Sequence, residues 1–288
     1  MNALETIEGL QPQARLGLGL LGLVVAIALL APVLAPFDPQ AADPAARLLP
    51  PLTAAGLPGA AASSQWHLLG TDSVGRDILS RLMFGGRLSL LVGIAAAVIG
   101  AAAGSLIGCV SGYFGGWWDA MASFLIDLQL SFPFVLLAIF LLGSLGGGTV
   151  PVVLILALGT WVNHARVVRA QVLSLRSRGY VEAARVSGAG SLRVLLVHIL
   201  PNTLSPICVM VSFSMAQAIL TEAGLSFLGI GLDPSTPSWG TMLNDGRDYL
   251  QGAWWISTMP GLAIGVTVLA VTLVGEGLRR WLDEGGNT

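Results

Sequence analysis

The chain has 288 residues, of which 54% are hydrophobic and 10% charged, and its mean hydropathy is +0.78. An ordinary soluble domain carries about 25% charged residues, so this composition fits lipid rather than water and excludes a disordered chain. All fourteen cations are arginine and the net charge is −2. Without lysine there is no phosphate-binding P-loop, which needs Lys after its second Gly, and no Schiff-base chemistry. The charge balance leaves no electrostatic footprint for nucleic acid.

A spanning helix needs about 20 mostly apolar residues, and six stretches qualify. They are Leu16–Phe37, Leu88–Trp118 (apolar to Gly112), Leu128–Leu145 with Pro133 inside, Val150–Ala165, Ile199–Thr221 and Gly252–Gly275. Lipid-embedded backbone must satisfy itself, so all six are expected as helices and the fold as all-α and polytopic. The leading tail holds one Arg against Glu5 and Glu8, which favours a retained anchor over a cleaved leader. With the N-terminus inside, nine arginines fall on inner segments and five on outer ones, the bias expected of inner loops. The chain then divides into an inner tail (1–15), an anchor (16–37), an outer segment (38–87), a five-helix core (88–278) and an inner tail (279–288). The core carries an inner loop at 166–198 and an outer loop at 222–251. The outer segment opens rich in Pro and Ala and then turns amphipathic.

Gly100, Gly104, Gly108, Gly112 and Gly116 recur every four residues. Small residues at that spacing line one helix face and admit a second backbone; a substrate path along the same face is the lesser reading. Gly17, Gly19 and Gly22 match a dinucleotide-binding pattern, but no strand precedes them. No metalloprotease, serine-hydrolase or calcium-loop motif occurs, and His67, His164 and His198 lack metal-ligand spacing. No catalytic, cofactor-binding or metal-ligating residue is expected. Cys109 and Cys208 lie in apolar stretches and read as small buried hydrophobes. Asp127 and Glu222 read as carboxylates at segment ends that reach the interface. No acid is placed near the middle of a span, which weakens an ion-coupled carrier.

The inner loop is the most informative stretch. Tyr180 to Arg193 reads as a short helix, a glycine break and a second short helix. Gly188 suits the left-handed closing position, Ser191 an N-cap, and Pro201 the start of the next membrane helix. Ala183 and Ala184 form a small-residue face, and Glu182 and Arg185, three apart, can share one side of the helix. A solvated loop with ordinary caps is the competing reading.

Glu182-Ala183-Ala184, then Gly188, then Leu200-Pro201 resembles the EAA loop that marks membrane subunits of bacterial binding-protein-dependent ABC importers. His198 stands where an Ile is common in that pattern. Two further blocks narrow the resemblance. One runs from Leu69 to Arg81 and includes Asp72, Gly75, Arg76 and Asp77. The other runs from Leu225 to Leu232 and on through Pro237-Ser238-Trp239-Gly240 and Asn244 to Tyr249. Pro260–Ile264 and Gly275–Arg279 come after them. Together they resemble the C-type permease of the dipeptide, oligopeptide and nickel importers, over about Trp66 to Asp283 plus the anchor.

The resemblance implies a type I permease fold in the bacterial inner membrane with both termini cytoplasmic. It implies a B-type permease partner, two cytoplasmic ATPase subunits that carry ATP and Mg, and a periplasmic binding protein. Glu182, Ala183, Ala184, Arg185, Gly188, Leu200 and Pro201 would form the ATPase-coupling loop. Asp72, Gly75, Arg76 and Asp77 would form an outer cap that touches the binding protein or the second permease, or else a self-contained surface helix. Peptides are the expected cargo, with nickel chelates, glutathione and opines as alternatives and an ion-coupled secondary carrier as the reading from a different class.

Overall fold

The computed structural model describes residues 11–55 and 65–285. In chain order the helices are α1 (Pro12–Leu29), α2 (Ala31–Leu34), α3 (Ile78–Phe114), α4 (Gly116–Leu130), α5 (Phe134–Leu145), α6 (Thr149–Arg176), α7 (Gly179–Val186), α8 (Ser191–Arg193), α9 (Leu200–Phe227), α10 (Trp239–Gly246) and α11 (Trp255–Gly285). Among the described residues the only strands are Thr53–Ala55 and Gln65–His67, an antiparallel pair with Thr53 opposite His67. The all-α expectation therefore holds, with a small hairpin in the outer segment where an amphipathic stretch was expected.

Five helices are long and apolar enough to cross a membrane, and a sixth span is formed if the bent pair α4 and α5 counts as one. That pair corrects the third expected span. Leu128–Leu145 is not one helix: the chain breaks at residues 131–133, and α4 and α5 meet at 86°. Pro133 explains the break, because it donates no hydrogen bond and pushes its predecessor out of the helical region. Similarly, the 16–37 stretch is interrupted at Leu30, and Pro32 sits in the first turn of α2.

Four helices run longer than expected, α9 reaching Phe227 and α11 Gly285. α3 begins ten residues before Leu88, because the Asp77 carboxylate accepts the Ser80 amide at 2.7 Å and caps it. α6 does not stop at Ala165 but continues to Arg176. The outer loop expected over 222–251 begins with the last turn of α9 and contains α10. Cys208 is also corrected: Cys109 is buried, but Cys208 is exposed.

α3 and α6 form the axis of the bundle. A Cβ on Gly100 would stand 1.9 Å from Thr160 Oγ1, on Gly104 2.2 Å from the Trp161 carbonyl oxygen, on Gly108 2.5 Å from that of Ala165, and on Gly112 2.9 Å from that of Arg169. The stripe is a backbone-to-backbone seam, and α6 fills the face on which a substrate path was the lesser reading. Gly116 is not part of it, because α3 ends at Phe114 and α4 starts afresh.

The other helices wrap this axis. Val92 and Ala96 of α3 pack with Ala138 and Leu142 of α5, Val152 and Leu156 of α6, and Ala218 and Leu225 of α9. Ala28 of α1, Leu90 of α3, Ile219 of α9, Trp239 of α10 and Ile264 of α11 form a second cluster. α1 lies along α11, and Arg280 Nη1 donates to Gln11 Oε1 at 2.7 Å.

We expect Gly104→Ala to shift the thermal midpoint of the detergent-solubilised protein downward. The added methyl meets backbone, which cannot swing away, and overpacking of this kind costs about 1–3 kcal/mol. Gly19→Ala, which meets nothing within 4 Å, serves as the control and should leave the midpoint in place.

Candidate functional site

The elbow between α6 and α9 lies at one end of the bundle. α7 closes in a six-residue turn. The Ala189 amide donates to the Ala184 carbonyl at 3.0 Å and the Gly188 amide to that of Arg185 at 2.9 Å, with Gly188 at φ +85°. This is the Schellman pattern, so Gly188 closes the helix as its position suggested. Ser191 does not cap α8. The Gly190 carbonyl accepts the Val194 amide, so Gly190 holds the cap position, and as glycine it has no side chain to bond there.

Pro201 takes the second position of α9, at the helix start as expected. The helix is continuous from Ser191 to Phe227, and Val194–Ile199 is wound as a π-turn just ahead of it. Pro201 has no amide hydrogen for the carbonyl four residues back. The wider turn, in which the Leu200 amide reaches the Leu195 carbonyl, takes up that mismatch. Leu200 is half-buried beside it and Pro201 is exposed.

The root of the elbow is dry. Val181, Val194 and Ile199 are fully buried against Cys109 and Tyr113 of α3 and Val168 and Val172 of α6, with Ala184 and Ala189 at the margin. Two contacts not singled out from sequence fasten it. Arg176 Nη1 donates to the Tyr113 carbonyl at 2.8 Å, and the Arg185 guanidinium lies 5.2 Å from the Tyr113 ring centre. Arg185 thus faces α3 rather than pairing with Glu182, which is exposed and has no cation partner among the described residues. The tip is open: Glu182, Ala183 and Leu192 are exposed, and Val186 is 90% exposed. A buried root under an apolar, acid-bearing tip makes a rigid projection rather than a solvated loop.

The outer block forms a clasp at the opposite end. Asp72, fully buried, accepts the Val74 and Arg76 amides at 2.9 Å each, Arg76 Nε at 2.6 Å, and Arg81 Nη1. Both arginines also reach Asp245 of α10 at 3.0 Å. Gly75 (φ +86°) lets the turn pass Asp43, whose carbonyl oxygen would lie 1.8 Å from a Cβ there. Asp77 bonds His67 Nδ1 at 2.9 Å besides capping α3, and Trp255 Nε1 donates to the Thr71 carbonyl at 3.0 Å. The block is a folded cap, not a surface helix, and its charged groups are engaged within the chain. Arg81 and Asp245 complete it; their sequence blocks were noted, but no short-range pattern joins residues 164 apart.

Burial pushes the Asp72 carboxyl upward, but the Arg81 charge, the Arg76 amide and the Arg76 charge outweigh it and hold the group below its ordinary value. Glu222 is corrected as well: it is fully buried near the end of α9, where it accepts from Ser226 Oγ at 2.8 Å and Ser238 Oγ at 3.2 Å. Among the described residues no cluster of His, Cys, Asp and Glu could hold a metal ion.

A bundle of membrane-length helices with a glycine seam, a clasp at one end and a bent elbow at the other defines a polytopic membrane protein. Residues 104–285 match the family of binding-protein-dependent transport system inner membrane components. Residues 11–51 match the N-terminal transmembrane domain of oligopeptide transport permease C. The chain is 42% identical to the di/tripeptide transport system permease protein DppC of Pseudomonas aeruginosa, across 93% of this chain and 86% of that protein. It is 41% identical to the dipeptide transport system permease protein DppC of Haemophilus influenzae, across 94% and 90%. It is 44% identical to the protein of that name from Escherichia coli K12, across 94% and 88%. The chain belongs to the binding-protein-dependent transport system inner membrane component family. It is a multi-pass permease subunit of an ABC importer.

The clasp carries a prediction. Because the folded Asp72 titrates below the ordinary aspartate value of 3.8, its contribution is complete above that pH and is lost as pH falls through the lowered value. Thermal unfolding monitored from pH 7 to pH 3 should show an acid-sensitive loss that Asp72→Ala removes. At neutral pH the same variant leaves the buried Arg81 with Asp245 as its remaining acid partner, at a cost of up to about 3–5 kcal/mol.

Proposed function

We propose that this chain forms half of the translocation pathway of an ATP-driven importer of dipeptides or oligopeptides, and that the elbow at Glu182–Gly188 takes up the motion of a cytoplasmic ATPase. The observation that carries the reading is the elbow's construction. Its root is locked into α3 and α6, so a push on the tip moves the bundle's central axis rather than bending a loop. Its exposed tip offers Val186, Leu192 and Ala183 beside Glu182 to a partner.

The peptide cargo rests on the names of the relatives; nickel chelates, glutathione and opines remain alternatives within the same importer type. The expected assembly pairs this chain with a B-type permease over two ATPase subunits that bind ATP and Mg, and a periplasmic binding protein delivers the cargo. The membrane is the bacterial inner membrane. Elbow and described chain ends share one end of the bundle, which supports cytoplasmic termini given the arginine-rich elbow. The elbow after Arg176 and the segment between α9 and α11 keep, in this reading, the inner and outer sides expected for the loops at 166–198 and 222–251. ATP binding closes the two ATPases, the elbows move with them, and the pathway opens outward; hydrolysis resets it.

Gly188→Val tests the lever. A Cβ there meets nothing within 4 Å, so the effect is confined to the strained left-handed turn, about 1–2 kcal/mol. We expect normal amounts in the membrane and ATP hydrolysis that no longer drives uptake of labelled dipeptide in proteoliposomes. Full uptake would count against the assignment. In a Cys208→Ser background, Val186→Cys should cross-link to the ATPase subunit.

A further inference from the structure

The antiparallel pair α4 and α6 carries three polar side chains that nothing among the described residues satisfies. Its register is set by Arg169 Nη2 on Asp119 at 2.7 Å and by Trp161 Nε1 on Gln129 at 2.6 Å. Between these, Ile126 packs against Trp161, Val162 and Ala165. Asp127 comes directly after Ile126, and Arg166 directly after Ala165. In an antiparallel pair, the residue after a facing residue turns to the same side of the pair on both helices. Asp127 and Arg166 therefore flank one face, and Asn163, a turn before Arg166, shares it. All three are exposed, and none has a side-chain hydrogen bond or ion pair among the described residues.

Asp127 lies in the last turn of α4, three residues before Leu130 at the break. Arg166 lies inside α6, ten residues before Arg176, in a helix of 28 residues, about 42 Å long against a hydrocarbon core of about 30 Å. Asp127 thus stands at a segment end, as its position in the sequence suggested. Charged side chains on membrane-length helices face water or a partner rather than lipid. α5 swings off at 86°, with its Phe134 seated over Gly159.

We infer that Asp127, Asn163 and Arg166 form a wet strip of the translocation pathway that receives a zwitterionic cargo, Asp127 meeting its ammonium group and Arg166 its carboxylate. The inference rests on the reading of this chain as a pathway half. A cation and an anion held apart on one face, neither neutralised by the other, match a molecule with opposite charges at its two ends. Asn163 offers a donor and an acceptor to the amide between them. Loose, unpaired contacts of this kind suit a path that must release what it admits.

The test uses the whole importer in proteoliposomes. Asp127→Asn and Arg166→Gln should each lower dipeptide uptake per ATP hydrolysed about tenfold, a change of about 1.4 kcal/mol, while the complex still assembles. Unchanged uptake in both would overturn the inference. In a background with Cys109→Ala and Cys208→Ser, Asn163→Cys should react with a membrane-impermeant thiol reagent. A thiol that stays unreactive in the assembled complex, shielded by lipid or by the second permease, would overturn the wet strip. A reactive thiol in a wild-type-like complex that moves no dipeptide supports the strip and counts against the peptide reading alone.

Discussion

The structure depends on how closely α3 and α6 approach. Within lipid there is no hydrophobic drive to bring two helices together, so association relies on packing and on backbones that can touch. Four glycines in successive turns of α3 provide that contact, and carbonyl oxygens of Ala157, Trp161, Ala165 and Arg169 in α6 occupy the space their side chains would take. The seam makes two helices into one stiff unit. Its stiffness matters at the elbow, whose buried valines rest on Cys109 and Tyr113 of one helix and Val168 and Val172 of the other.

The two ends of the bundle are built from different interactions for different purposes. At the clasp, buried charges are paired and hydrogen-bonded, with Asp72 and Asp245 sharing Arg76 and Arg81. Such a cluster is intolerant of loss, because any missing partner strands a charge, and it ties the segment before α3 to α10. At the elbow the fastening is apolar and local, apart from the contacts of Arg176 and Arg185 with Tyr113. The elbow thus keeps an open tip on a fixed base, whereas the clasp engages its charges internally.

Between these ends, α4 and α5 depart from the pattern of straight spans. The break at Pro133 turns α5 aside at 86°, and Asp127, Asn163 and Arg166 stay exposed on α4 and α6. The cost of irregular backbone at membrane depth is tolerated where it borders a cavity, and the broken helix is consistent with that rule.

Hydropathy, the four-residue glycine spacing and the position of Gly188 obey local rules, so span count, the seam and the helix-closing turn were readable in the 288 residues. Each depends on a run or a repeat within a few turns of chain. The clasp was not readable in this way, since Asp72 and Asp245 meet only through folding, and neither was the burial of Glu222 beneath Ser238. The bend between α4 and α5 had its proline in view, but an apolar run looks continuous whether or not the helix within it is straight. The orientation of Arg185 toward Tyr113 was likewise a matter of packing: spacing permits a pair with Glu182, and only the neighbouring helix decides which contact forms.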